Sequence, residues 1–391
     1  MIGLSFIEKL LDGASVSHLP LEKIAKIKHG KDWKKLASGD IPVYGSGGIM
    51  GYVDTYSYDK PTVLIPRKGT ITNLFYVDSA FWNVDTIYYT EIDGTKILPK
   101  YLYYVIKTID LMSLDTGSGR PSLTQAILNK LLIPIPCPDN PEKSLAIQAE
   151  IVRILDAFTA MTAELTAELS MRKKQYNYYR DKLLSFEEGD VEWKTLGWIG
   201  EVRMCKRIMK NETSDIGDIP FFKIGTFGKE PNAYISRDTF EEYKSKYNYP
   251  RVGEILISAS GTIGRAVIFN GEDAYFQDSN IVWLENDESK VLNKYLFYFY
   301  QIANWNVSDG GVIKRLYNDN IKKTLIPVPY PDDPERSLAK QARIVAILDK
   351  FDTLTNSISE GLPREIELRQ KQYEYYRDML LSFPKPMEET A

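Results

Sequence analysis

The sequence predicts an α+β fold with a pseudo-two-fold internal repeat, in which two mixed α/β domains are joined by two long antiparallel helices that form a coiled coil. The first observation is a 15-residue stretch, Arg172–Phe186, that returns as Arg369–Phe383 with 12 identical positions. The second is a 27-residue stretch, Leu132–Phe158, that returns as Leu325–Phe351 with 19 identical positions. Repetition of this quality indicates a duplicated structural unit.

These repeats divide the 391 residues into six segments, which is compatible with the two or three domains that this length allows. The predicted boundaries are a helical stub at 1–17, a first mixed domain at 18–131, a first helical spacer at 132–188, a second mixed domain at 189–323, a second helical spacer at 324–386 and a tail at 387–391.

The chain begins with Met1–Leu11, whose apolar positions predict a short amphipathic helix. In the first mixed domain, Thr62–Ile65 and Phe75–Tyr89 are rich in Val, Ile, Tyr and Phe and are predicted as strands. The segment Leu98–Ile109 is predicted as a helix. The following prolines hold an extended approach to the first long helix, and Ser144 is its predicted N-cap.

The first long helix carries apolar or large residues at steps of three and four, mostly in alternation, which is typical of a coiled-coil seam. These positions are Ile147, Ile151, Ile154, Phe158, Met161, Leu165, Leu169, Arg172, Tyr176, Tyr179 and Leu183. The second mixed domain parallels the first, with an insertion of about 14 residues expected within Tyr234–Pro250. The second helical repeat, Ser337–Phe383, is four residues longer than the first, and Gly361 and Pro363 predict a kink or helix restart there.

Composition excludes several classes of protein. The chain has only two cysteines and two histidines, which are too few for a disulfide framework or a thiolate metal site and make imidazole chemistry improbable. The low cysteine content fits a cytoplasmic location. No apolar run is long enough to span a bilayer, so no membrane association is expected. The net charge of −4 means that any contact with nucleic acid must use local basic loops.

The order of segments, together with the paired motifs, resembles the specificity subunit of type I restriction–modification enzymes. The motifs are IPIPCPDNPE and IPVPYPDDPE, QAEIVRILD and QARIVAILD, and YYRDKLLSF and YYRDMLLSF. The resemblance covers essentially the whole chain. It implies that each mixed domain is a target-recognition domain that reads one half of a split, asymmetric sequence in double-stranded DNA.

The resemblance further implies that the two helices set the spacing between the half-sites and dock two methyltransferase subunits, which restriction subunits join. The specificity subunit performs no chemistry and needs no cofactor or metal. The sequence agrees, since it contains no methyltransferase, helicase or nucleotide-binding motif. Residues expected on the docking surface are Gln148, Tyr178, Arg180, Gln341, Tyr375 and Arg377.

Candidate DNA contacts lie in loops that match between the two domains. The loops Arg67–Thr70 and Ser258–Arg265 follow matching strands, and the alternative is an ordinary hairpin tip. The glycine turns at 117–122 and 310–315 precede short helices whose N-termini suit phosphate binding. The glycine-rich loop Gly45–Gly51 lacks a Walker lysine, so a tight turn close to a DNA backbone is favoured over a nucleotide site.

The predicted DNA contacts therefore combine loop cations, hydroxyls and glycines with one amide. They are Ser46, Gly47, Gly48, Arg67, Lys68, Thr70, Ser118, Arg120, Ser122, Lys223, Ser258, Ser260, Thr262, Arg265, Gln277, Lys314 and Arg315. A lone glutamine in a strand such as Gln277 is more often structural. The matching helical tyrosines around Tyr101 and Tyr295 are expected in the core rather than in a base-stacking platform.

Two other functions stay open at this point. Balanced domain charge and abundant tyrosine also fit a coiled-coil adaptor whose two heads bind proteins rather than DNA. A stand-alone methyltransferase is the third hypothesis, which binding of S-adenosylmethionine by the isolated chain would favour.

Overall fold

A computed structural model describes residues 13, 15–116, 119–186, 191–305, 307, 315–357 and 359–383. The predicted N-terminal helix Met1–Leu11 and the tail at 387–391 lie outside these residues. The chain divides into two compact units, of which unit 1 is Met1–Thr166 with Glu365–Ala391 and unit 2 is Ala167–Arg364. Each unit thus combines one mixed domain with parts of both helical spacers.

Unit 1 contains nine strands among its described residues, in a four-stranded sheet of order β2-β8-β5-β6, a three-stranded sheet of order β4-β3-β7 and a two-stranded pair of β1 with β9. They are β1 Val16–Pro20, β2 Ala25–Lys28, β3 Ile41–Gly45, β4 Gly48–Val53, β5 Thr62–Pro66, β6 Phe75–Val77, β7 Trp82–Asn83, β8 Ile87–Ile92 and β9 Leu132–Pro136. Its helices are a 3₁₀ turn at Leu21–Lys23, α1 Pro99–Lys107, α2 Gln125–Leu128 and the start of α3 Pro141–Leu184.

The described part of unit 2 repeats this plan with sheets of order β11-β17-β14-β15 and β13-β12-β16 and a pair of β10 with β18. Its strands are β10 Val191–Thr195, β11 Gly200–Arg203, β12 Ile219–Phe222, β13 Tyr234–Ile235, β14 Ile255–Ser258, β15 Ala266–Ile268, β16 Tyr275–Phe276, β17 Ile281–Asn286 and β18 Leu325–Pro329. The helices that follow α3 are α4 Leu196–Ile199, a 3₁₀ turn at Lys210–Glu212, α5 Arg237–Lys246, α6 Asn293–Tyr300, α7 Asn318–Lys323, α8 Pro334–Asn356 and α9 Gly361–Leu381.

The strand predicted at Thr62–Ile65 and the helix predicted at Leu98–Ile109 are confirmed as β5 and α1. The run Phe75–Tyr89 was predicted as strand, but it contains β6, β7 and the start of β8, separated by turns. The predicted insertion Tyr234–Pro250 contains β13 and α5.

Prediction of Ser144 as the N-cap of the first long helix is wrong. Helix α3 begins at Pro141, and the Asn140 side chain accepts a hydrogen bond from the backbone N–H of Lys143 at 3.0 Å. Ser144 is buried one turn inside the helix. In α8 the corresponding cap is Asp333, whose carboxylate accepts from the N–H of Arg336 at 3.0 Å.

The predicted restart of the second helical repeat is confirmed. Helix α8 ends at Asn356 and α9 begins at Gly361, which has a left-handed φ of +75°. Glycine tolerates this conformation because it has no Cβ.

The core of each unit joins its mixed domain to its helices. In unit 1, Ile147, Ile151 and Leu155 of α3 pack in the same core as Ile65 and Tyr101. The first positions of the predicted seam therefore contact the mixed domain of their own unit. Packing of this kind fixes the domain on the helix that follows it, because protein cores are close-packed.

Candidate nucleic-acid interface

Backbone hydrogen bonds bring three loops of unit 1 together at one end of β5. The N–H groups of Arg67 and Lys68 donate to the carbonyl of Thr86 at 2.8 and 3.3 Å. The N–H of Gly69 donates to the carbonyl of Pro121 at 2.9 Å. The predicted loop Arg67–Thr70 therefore lies beside the described part of the glycine turn at 119–122.

The hairpin between β3 and β4 reaches the same place. A Cβ atom built on Gly69, whose φ is +88°, would lie 2.9 Å from Nη2 of Arg120 and 3.3 Å from Oγ of Ser46. The N–H of Ser46 points to Oγ1 of Thr86 at 3.4 Å. Five predicted contacts, Ser46, Arg67, Lys68, Arg120 and Ser122, thus lie close together, and with their chain neighbours Gly47, Gly48 and Thr70 we name them the unit 1 cluster.

The unit 1 cluster presents cations to solvent. Lys68 and Arg120 are exposed, and Arg67 is half-buried with Nη1 donating to the carbonyl of Asp85 at 3.3 Å. Beneath them, burial raises the pKa of Tyr88, and the positive charge of Arg67 partly opposes that rise. This arrangement suits contacts to phosphate oxygens and base edges, which are the acceptors that arginine and lysine take in DNA.

The matching loop of unit 2 is built differently. Oγ of Ser258 accepts from the N–H of Arg265 at 2.9 Å and donates to the carbonyl of Thr262. Oγ of Ser260 donates to Oδ1 of Asn280 at 2.7 Å. Both serines are buried, so the structure supports a role for them in shaping the loop rather than in direct contact, whereas Thr262 is exposed.

Gln277 and Arg265 also make internal hydrogen bonds. Oε1 of Gln277 accepts from the N–H of Ile224 at 3.0 Å and so holds the loop that carries Lys223. Nη1 of Arg265 donates to the carbonyl of Phe227 at 2.8 Å. A structural role for Gln277 is therefore favoured over recognition of adenine.

Arg315 joins the unit 2 loop through Asn280. Its Nη2 lies 3.4 Å from Oδ1 of Asn280, which also accepts from Ser260, and its backbone pairs with that of Ser260 in an isolated β-bridge. The predicted contacts Ser118 and Lys314 lie outside the described residues.

The prediction that Gln148 and Gln341 lie on a docking surface is wrong, because both side chains are fully buried. Gln148 accepts from the N–H of Leu98 at 2.9 Å and donates to the carbonyl of Lys96 and to Oγ of Ser144, both at 3.1 Å. These bonds tie α3 to the start of α1. We name this arrangement the glutamine joint.

Unit 2 repeats the glutamine joint. Gln341 accepts from the N–H of Leu292 at 2.9 Å and donates to the carbonyl of Lys290 and to Oγ of Ser337, both at 3.1 Å. The three partners of each glutamine occupy matching sequence positions in the two units. The sequence repeat therefore encodes one way of mounting a mixed domain on a helix.

The other four predicted docking residues occupy helix surfaces. Tyr178 is 59% exposed and Tyr375 is 60% exposed. The guanidinium of Arg180 lies 5.6 Å from the ring of Tyr176, and Arg377 stands in the same relation to a buried tyrosine of α9. Each helix end thus shows the same exposed tyrosine beside a half-buried arginine.

A second repeated joint was not anticipated from the sequence. Asp156 accepts from the hydroxyl of Tyr104 at 2.6 Å and pairs with Nζ of Lys100 at 2.7 Å. Asp349 does the same with Tyr298 at 2.6 Å, and burial is the first cause of the raised pKa of both tyrosines. The sequence signal that could have predicted this second joint is the matching spacing of these polar residues in the two repeats.

The expectation that the helical tyrosines pack in the core is confirmed. Tyr101 and Tyr295 are fully buried, and their hydroxyls donate to the carbonyls of Pro134 and Pro327, each at 3.0 Å.

Within the described part of the chain, no group of three His, Cys, Asp or Glu side chains is placed to hold a metal ion. Among the helices searched there, none has the length and hydropathy of a membrane span. Cys137 and Cys205 are unpaired and buried.

Comparison with known proteins decides the family. The family model for the type I restriction modification DNA specificity domain matches residues 19–171 and 188–368. The chain belongs to this family. A putative type I restriction enzyme specificity subunit of Haemophilus influenzae is 49% identical over 97% of this chain and 98% of its own length. The EcoR124I/EcoR124II specificity subunit of Escherichia coli is 41% identical over 99% of both chains.

Solved structures agree at the level of the fold. The type I restriction–modification S subunit from M. genitalium aligns with a TM-score of 0.59 and 16% identity over 96% of this chain and 98% of that one. A second structure, from work on complex assembly and conformational transition of the type I R-M system, aligns with a TM-score of 0.55 and 13% identity. The alignment covers 94% of this chain and 97% of that one. The predicted α+β specificity-subunit fold is therefore confirmed.

Proposed function

We propose that this chain is the sequence-specific DNA-recognition subunit of a type I restriction–modification complex, in which each mixed domain reads one half of a bipartite, asymmetric target. The glutamine joint carries the proposal, because both domains are mounted on their helices by the same hydrogen bonds. The loops that follow matching strands differ in chemistry, with exposed Lys68 in one unit and buried Ser260 in the other. Two domains that are attached to their helices in the same way, but that carry different loops, suit the recognition of two different half-sites.

The helices set the distance between the half-sites and dock two methyltransferase subunits, which restriction subunits join. Helix α3 has 44 residues and is on the order of 66 Å long at about 1.5 Å per residue. The exposed Tyr178 and Tyr375, repeated at both helix ends, support docking of two copies of one partner. The chain itself carries out no catalysis, binds no cofactor and works in the cytoplasm, where its unpaired cysteines stay reduced.

A domain exchange tests the proposal. Replacement of residues 193–323 by the equivalent segment of a related specificity subunit, in the assembled complex, is expected to change the base sequence of one half-site only. Mapping of methylated sites across the genome measures this directly. A change in both half-sites contradicts the assignment of one domain to each half.

A protein-binding adaptor predicts a different outcome in a second experiment. Affinity purification of the full chain from its native cells is expected to recover methyltransferase subunits in about twofold molar excess. Recovery of unrelated proteins without them favours the adaptor, which the names of the relatives do not support.

A further inference from the structure

The hairpin of β3 and β4 contains a β-bulge beside the unit 1 cluster. Its register passes from Tyr44 opposite Ile49 to Val43 opposite Gly51, so Met50 is the extra residue. A bulge leaves one residue unpaired and redirects its side chain, and bulges are common next to functional sites. Met50 is 57% exposed.

The thioether of Met50 packs against Gly45, close to Thr86, whose carbonyl anchors the cluster loop Arg67–Thr70. A Cβ atom at Gly45 would lie 2.4 Å from Sδ of Met50 and 3.5 Å from Oγ1 of Thr86. The carbonyl of Thr86 accepts from the N–H groups of Arg67 and Lys68. Glycine at position 45 thus leaves the space that the methionine sulfur occupies.

An exposed apolar side chain beside a cluster that carries cations matches a specific feature of DNA. Arginine and lysine hold phosphate oxygens, and the C5-methyl group of thymine is the apolar group that base edges present in the major groove. Ile49, next to Met50, is half exposed as well, so the hairpin tip offers an apolar surface.

We propose that Met50 reads a thymine in the first half-site, through contact between its thioether chain and the C5-methyl group. This inference rests on the proposed function and adds an apolar reader to the polar cluster. The corresponding hairpin of unit 2, formed by β12, β13 and the loop between them, contains no methionine, so the contact belongs to one half-site.

Uracil substitution tests the contact, because uracil differs from thymine only by the missing methyl group. The full chain, assembled with its methyltransferase partners, is titrated with duplexes in which single thymines of either half-site are replaced by uracil. One position in the first half-site is expected to raise Kd by about fourfold, the change that corresponds to the loss of one buried methyl-sized group. Met50→Ala is expected to raise Kd for the thymine duplex by a similar factor and to abolish the thymine preference at that position.

Gly45→Ala provides a second variant that retains the methionine. The new methyl group displaces only the flexible end of Met50, and it is expected to reduce the same thymine preference. Met171→Ala, which removes an exposed methionine on α3, is the matched control and is expected to leave Kd unchanged for every duplex. Circular dichroism of each variant verifies folding.

Two results overturn the inference. One is a Met50→Ala protein that keeps the full thymine preference, and the other is equal weakening of Met50→Ala on thymine and uracil duplexes. Lys68→Ala and Arg120→Ala separate this failure from failure of the proposed function. If they weaken binding while Met50→Ala does not, only the methyl contact is wrong; if they leave binding unchanged, the DNA surface itself is wrong.

Discussion

At the scale of single residues, the glutamine joint shows how a polar side chain fixes the position of a whole domain. Gln148 is buried and uses both its oxygen and its nitrogen on partners in two elements. One of those partners is the N–H of Leu98, the N-cap residue of α1, and N–H groups at a helix start lack intrahelical acceptors. The amide therefore gives partly buried backbone groups a hydrogen-bond partner.

Gln148→Ala is expected to lower the free energy of unfolding by about 1–3 kcal/mol, because it removes the hydrogen-bond partner of the partly buried N–H of Leu98 and carbonyl of Lys96. Urea denaturation of the full chain measures the loss. Gln370→Ala removes an exposed glutamine that bonds to Glu374 on α9, and it is expected to change stability by less than about 0.5 kcal/mol. Equal losses in the two variants contradict the structural role.

At the scale of elements, the break between α8 and α9 depends on Gly361. A Cβ atom there would lie 2.4 Å from the carbonyl oxygen of Thr353 and 2.8 Å from that of Leu354. Backbone atoms cannot move aside as a flexible side chain can. The φ of +75° adds a further cost for any residue with a Cβ.

Gly361→Ala is therefore expected to destabilise the chain by about 1–3 kcal/mol, from the left-handed φ together with the collision. Thermal unfolding followed by circular dichroism measures the shift in Tm. Gly47→Ala is the matched control, since a Cβ there meets no atom within 4 Å. A Tm that falls no further for Gly361→Ala than for this control contradicts the account of the break.

The sequence predicts elements well where its signals are local. Gly361 and Pro363 indicate the helix restart directly, and the apolar run at Thr62–Ile65 suffices for β5. Ser144 illustrates the limit, because the proline before it begins the helix and its hydroxyl turns inward to the glutamine joint. Which of several capping residues is used depends on tertiary contacts that the local sequence does not contain.

The candidate site divides in the same way. Comparison of the two repeats identifies the loops that carry Arg67 and Arg120 as candidate contacts. The fold brings these two loops together. The comparison does not reveal that Ser258 points inward, since a serine hydroxyl fits a buried loop as well as a surface. The bulge at Met50 also escapes sequence patterns, because it depends on strand register.

At the scale of the whole molecule, charge separates local from global attraction to DNA. The chain carries a net charge of −4, so its overall field does not favour a polyanion. Binding through the unit 1 cluster must then depend on a few cations that displace counterions from phosphates. Such binding weakens with salt in proportion to the number of phosphates contacted.

Charge reversal of two cluster cations tests this dependence. In the assembled complex, Lys68→Glu with Arg120→Glu is expected to weaken DNA binding and to reduce the slope of log K against log salt by about 2, at about 0.9 per phosphate contact. Fluorescence anisotropy titrations between about 50 and 200 mM salt, a range over which binding to phosphates weakens steeply, give the slope. Lys60→Glu is the control, because it reverses an exposed charge just before β5, whereas the cluster loop Arg67–Thr70 follows the other end of that strand. This variant is expected to leave the slope unchanged. An equal slope for the double variant and the unmodified chain removes Lys68 and Arg120 from the set of phosphate contacts.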